Sequence, residues 1–150
     1  MIQRIQTLYL LLATALMSLT LFLPLATITS GAEEVVVKAF SAGESSLPLY
    51  LGLLLSATTL LPFVTIFLFK NRLAQIRLCV SEIVMLLGSA VVIALYCYRV
   101  CDLLSEVQDN SIFTLGFASL MPVVSIIFVV LALRGIAKDE ALVRSLDRIR

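Results

Sequence analysis

In this 150-residue sequence the side chain whose type and position most suggest chemistry is Glu82. It is the one charged residue in the run 78–98, and a carboxylate among apolar neighbours can carry a proton or ion, or close an ion pair. Five helical residues beyond Arg77 amount to about 7.5 Å of rise, which places Glu82 near a membrane interface within reach of Arg77, Arg72 or Arg4. The expected role is a structural ion pair rather than a relay.

The three cysteines form no metal set. Cys97 and Cys101 are one turn apart on one helical face, where a disulfide would strain the backbone, and Cys79 is about 27 Å of rise from Cys97. Free thiols packed as small apolar groups are expected. The chain has no His and no Trp, and the lack of His removes the commonest neutral-pH proton shuttle and the commonest metal ligand. Phosphate loops, dinucleotide-binding glycines, zinc-protease pairs, nucleophile elbows and Cys-x-x-Cys are all missing. The expectation is a non-enzymatic protein with no cofactor and no resident metal. Eleven basic against ten acidic residues leave a net charge of +1, too little for an electrostatic claim on nucleic acid.

The elements that must position these residues follow from segregation of charge. Side chains are 61% hydrophobic and only 14% charged, and four runs, 5–28, 47–69, 78–98 and 111–133, hold no charge except Glu82. Each run is long enough to cross about 30 Å of hydrocarbon as a helix. They are too long and too evenly apolar for barrel strands, so the predicted fold is an all-α bundle of four transmembrane helices in one membrane domain. The first run exceeds the core of a cleavable signal and is expected to stay attached.

Nine Lys and Arg flank the spans on one side: Arg4, Lys70, Arg72, Arg77, Arg134, Lys138, Arg144, Arg148 and Arg150. Lys38 and Arg99 alone lie on the other. This asymmetry predicts that both termini face the cytoplasm. Residues 134–150 carry Leu142, Val143, Leu146 and Ile149 at three-to-four spacing among charges, which predicts a cytoplasmic amphipathic helix, with Gly135 permitting a bend into the membrane plane. Continuation of the fourth helix and docking on a soluble partner are the competing readings. The first external loop contains Glu33-Glu34-Val35-Val36-Val37-Lys38-Ala39-Phe40, a β-branched stretch that suits a short strand or hairpin.

Pro24, Pro62 and Pro122 fall inside the runs, where each would remove a helical hydrogen bond and kink the helix. Gly52 with Ser56, and Ala90 with Ala94, set small residues one turn apart and could let helices approach closely.

Both ends of the chain carry a resemblance. The opening Met1-Ile2-Gln3-Arg4-Ile5-Gln6-Thr7-Leu8-Tyr9-Leu10 and the closing Lys138-Asp139-Glu140-Ala141-Leu142-Val143-Arg144-Ser145-Leu146-Asp147-Arg148-Ile149-Arg150 resemble the termini of a bacterial family known as domain of unknown function 4293. The resemblance implies a small four-helix protein of the bacterial inner membrane and brings no site residues with it. With polarity gathered at the ends, the expected function is an accessory or scaffold subunit that meets lipids and a membrane or cytoplasmic protein, with homo-oligomers open. Arg4, Lys70, Arg72, Arg77, Glu82, Arg144, Arg148 and Arg150 are the candidate interaction residues. The alternative is an oligomeric small-solute or ion transporter, which requires Glu82 to face protein or water.

Overall fold

A computed structural model describes residues 2–30, 33–40, 47–68, 71–107 and 111–147. Four helices dominate: α1 (Ile2–Phe22), α2 (Leu47–Phe67), α3 (Arg72–Val107) and α4 (Met121–Asp147). Each contains a stretch long and apolar enough to cross a bilayer: Ile5–Phe22, Pro48–Phe67, Arg72–Asp102 and, including the short 3-10 turn Phe117–Leu120 before α4, Phe117–Val143.

The helices run up and down in a ring. Each packs on two neighbours, in the cyclic order α1, α2, α3, α4. Their inward faces alternate at three and four residues: Gln6, Leu10, Ala13, Met17 and Thr20 on α1, then Cys79, Glu82, Leu86, Ser89 and Ile93 on α3, all buried. On α2 the stripe is Leu51, Leu55, Thr58 and Thr65, and on α4 Ser125, Val129, Ala132 and Ile136. A 3.5-residue repeat keeps one seam facing the partners, as in left-handed bundles. The opposite faces leave Leu8, Leu53, Leu60, Val84, Val91 and Ile127 exposed, as side chains turned to acyl chains would be.

The ends of two expected spans are not helical. Residues 26–28 belong to strand β1 (Ala26–Ser30) and residues 111–115 form strand β3 (Ser111–Leu115), with β2 (Glu33–Val37) as the expected strand of the first loop. The three make one antiparallel sheet in the order β2-β1-β3, with Ile28 opposite both Val35 and Phe113. Thr27, Ile28, Ile112, Phe113 and Thr114 are β-branched or aromatic, so these five-residue segments favour a pleated surface although they extend the hydrophobic runs.

The sheet sits at the end of the bundle opposite the termini and is stitched to it by main chain. The N–H of Leu25 donates to the Val37 carbonyl at 2.8 Å, and that of Gly116 to the Leu25 carbonyl at 2.9 Å. This approach is so close that a Cβ on Gly116 would overlap the Pro24 carbonyl oxygen, which explains glycine there. Helix α3, at 36 residues against 21 for α1 and α2, runs past its neighbours along the sheet.

The prolines act differently from expectation. Pro24 follows the end of α1, and Pro122 is the second residue of α4, in the first turn, where proline is tolerated. Pro62 alone of the three lies in a helix interior, beyond the first turn. Gly52 does not serve a helix crossing either, because the ring of Phe40 lies against it. The tail shows no bend at Gly135: α4 continues unbroken to Asp147, and Gly135 makes room for the Gln6 side chain, whose Cγ would lie 2.9 Å from a Cβ there.

Candidate functional site

Polar chemistry collects at two levels, the terminal end of the bundle and its middle. At the terminal end, Asn71 precedes α3, and its carbonyl accepts the first helical bond, from the N–H of Gln75, at 3.1 Å. Gln75 Nε2 then donates to the Thr65 carbonyl at 3.0 Å, satisfying an acceptor in the last turn of α2. Across the bundle, Gln6 Nε2 donates to Asp139 Oδ2 at 2.8 Å, and Arg72 Nη1 donates to the Asp139 carbonyl at 3.2 Å. One residue of α4 thereby ties α1 and α3.

Beside this tie, where α2 turns into α3 under the end of α4, opens a cleft of about 870 Å³ lined by Arg72, Arg77, Glu140, Leu73, Leu78 and Val143 among others. Its walls are basic and apolar together. Leu142 and Val143, half of the expected apolar stripe, are exposed and uncovered by the rest of the described chain. Of the expected interaction residues, the structure therefore brings Arg72 and Arg77 together. Lys70, Arg148 and Arg150 lie outside the described residues, as do the side chains of Arg4 and Arg144.

Glu82 is elsewhere. Its side chain is 0% exposed and faces the bundle interior, and neither carboxylate oxygen has a hydrogen-bond partner among the described residues. The expected ion pair with Arg77 fails on geometry: five residues turn an α-helix by about 140° beyond a full revolution, so Arg77 faces out where Glu82 faces in. Arg72 lies about 15 Å of rise below and is engaged with Asp139.

The bond between Gln75 and Thr65 sets the register of α2 and α3. Seven residues further along each helix, about 10.5 Å deeper, lie Glu82 and Thr58. The same step from Gln6 and from Ile136 reaches Ala13 and Val129. These four fully buried residues form the middle layer of the segment where all four helices overlap. The other buried hydroxyls are spoken for within their own helices: Thr20 donates to Leu16, Thr58 to Leu55, Thr65 to Leu61 and Ser89 to Leu86, at 2.8–3.0 Å. Ser125, one turn from Val129, has no partner among the described residues.

Sequence reasoning missed Gln6 and Asp139. The spacing of Gln6 with Leu10, Ala13, Met17 and Thr20 was the signal that would have turned it inward. The cysteines are free as expected; Cys97 and Cys101 line an apolar groove of about 420 Å³ with Phe113 and Leu115 of β3. No cluster of three or more His, Cys, Asp or Glu that could hold a metal ion exists among the described residues.

Four bilayer-length helices with lipid-like outer faces and a small sheet at one end define a multi-pass helical membrane protein. The chain belongs to the family described as Domain of unknown function (DUF4293), whose model matches residues 2–149. No curated protein and no solved structure matches it.

Proposed function

We propose that this protein is a non-catalytic accessory or scaffold subunit of the bacterial inner membrane. Both termini lie in the cytoplasm by the distribution of Lys and Arg, and the terminal end receives a partner protein. The observation that carries the reading is the cleft between the α2–α3 connection and α4. Two guanidinium groups beside Leu73, Leu78 and Val143 suit a partner helix that offers acidic side chains along an apolar ridge. The uncovered Leu142 and Val143 extend that surface as the amphipathic part of α4.

A photo-crosslinking side chain at Leu73 or Val143, in native membranes, is expected to give one discrete protein adduct. The adduct should vanish with Arg77→Glu, and a probe at Val91 on the outer face should give none. Adducts to lipid alone, or adducts indifferent to Arg77, defeat the reading; adducts to a second copy replace it with a homo-oligomer.

Burial of Glu82 in the interior favours a second reading, an ion or small-solute transporter acting as an oligomer, because that role requires the carboxylate to face protein or water. Flux through proteoliposomes that Glu82→Gln abolishes supports it.

A further inference from the structure

We propose that Glu82 is a proton-binding site at the centre of the bundle, its carboxyl holding an exchangeable proton that it donates to the main-chain carbonyl of Thr58. The inference is independent of the docking surface, which lies at the terminal end.

A carboxylate anion sealed in an apolar interior demands a counter-charge or a set of donors. Neither exists among the described residues: both Glu82 oxygens are fully buried and without a hydrogen-bond partner. Among the described residues the stripes facing it carry no cation and a single unpartnered donor, the Ser125 hydroxyl, which is too little to hold an anion. On α1 they present Leu10, Ala13 and Met17, on α2 Leu55 and Thr58, and on α4 Ser125, Val129 and Ala132. Among the described buried residues the titratable neighbour is Cys79, one turn away on the same stripe. A proton is the charge that can reach this position and cancel it.

A protonated carboxyl in turn needs an acceptor, and Pro62 supplies the reason for one. Proline has no N–H, so the carbonyl four residues before it, that of Thr58, lacks its helical donor. Thr58 lies at the level of Glu82, as the register fixed by Gln75 and Thr65 shows. The directions agree as well. Side chains lean toward the N-terminus of their own helix and carbonyls point toward the C-terminus; on α3 and α2, which are antiparallel, both directions lead to the terminal end of the bundle. The Thr58 hydroxyl already donates to Leu55 at 2.9 Å, so it does not compete for its own carbonyl.

The state of the carboxyl can be read by infrared spectroscopy of the protein in lipid at neutral pH. Wild type is expected to show a protonated-acid C=O stretch that Glu82→Gln deletes, Glu82→Asp shifts, and deuterium oxide moves to lower frequency. Pro62→Ala returns an N–H to Thr58, so the acid band should rise in frequency, as for a carboxyl with one hydrogen bond fewer. An acid region identical in wild type and Glu82→Gln, with a carboxylate band lost instead, overturns the proposal; so does an acid band that deuterium oxide leaves unmoved. A band unchanged by Pro62→Ala overturns the assignment of Thr58. Since Glu82→Asp retains an acid, and Pro62→Ala leaves the residue itself intact, the test survives if Glu82→Gln fails to insert.

Discussion

Removing the Asp139 carboxylate tests whether the terminal end is held by the bond to Gln6. Gln6 is 8% exposed, and its Nε2 meets Asp139 Oδ2 at 2.8 Å. Asp139→Ala leaves that amide buried without its acceptor, at a cost of about 1.5–3 kcal/mol for a hydrogen bond to a charged group. The main-chain acceptor of Arg72 survives the change, so the measurement isolates the carboxylate. Gln6→Met keeps the stem against Gly135 while removing the donor, and should cost a similar amount because the carboxylate then loses its partner. The double variant strands neither group. Its loss should fall short of the sum by about 1 kcal/mol or more, the coupling expected of side chains in direct contact. Equilibrium unfolding in mixed micelles with rising SDS, followed by helical circular dichroism, gives all four free energies. Additive losses, within about 0.3 kcal/mol, would refute the argument, since independent sites add to that accuracy.

Gly116 and Gly88 should respond oppositely to alanine. At Gly116 the new Cβ meets main-chain atoms of Pro24 and Leu25 that cannot rotate away, and the expected loss is about 1–3 kcal/mol; at Gly88 nothing lies within 4 Å, and helix propensity should stabilise by up to about 1 kcal/mol. Thermal unfolding of the two variants against wild type checks the order. Among the thiols, Cys101 is partly exposed while Cys97 and Cys79 are buried at 5% and 0%, so maleimide should modify Cys101 first and Cys79 only after denaturation. A membrane-impermeant maleimide applied to the periplasmic side should reach Cys101 in oriented membranes; modification from the cytoplasmic side alone would reverse the orientation drawn from the basic residues. Leu55→Ala, in the stripe of α2, should cost about 2–5 kcal/mol in the same unfolding assay, whereas Leu53→Ala on the exposed face should cost well under that.

The helices were legible because lipid demands long runs without charge, but charge placement marks the limits of α2 alone closely: α3 runs from Arg72 to Val107 against an expected 78–98, and α4 from Met121 to Asp147 against 111–133. What that criterion cannot separate is an apolar helix from an apolar strand joined to it. Ala26-Thr27-Ile28 continues the hydrophobicity of α1 beyond Pro24, and Ser111–Leu115 leads into α4, so each was absorbed into its neighbouring span. Proline was the missed clue: Pro24 marks a stop and Pro122 a start. Glu82 shows a different loss. Counting rise from Arg77 gave its distance along the helix but ignored rotation, and the same five residues that bring the two near in height turn them to different faces. Rotation was nevertheless recoverable, since Glu82 shares its spacing with Cys79, Leu86, Ser89 and Ile93. The cleft was out of reach of the sequence, because it depends on how α4 crosses the α2–α3 connection.

The distribution of hydrogen bonds between helices bears on what the middle of the bundle can do. Three side-chain bonds that join one helix to another lie at the terminal end, through Gln6, Arg72 and Gln75. At the far end the main chain of the sheet and its linkers provides the stitching. Between them, Thr20, Thr58, Thr65 and Ser89 donate within their own helices and leave the layers held by packing. Lipid provides little hydrophobic drive for such packing, so small energetic changes at a central layer have more leverage on helix spacing there than at either end. Glu82 occupies that layer with both oxygens unpartnered. A proton leaving its carboxyl would remove the bond proposed to the Thr58 carbonyl and place a charge at a level otherwise held by packing, while the two stitched ends keep the topology.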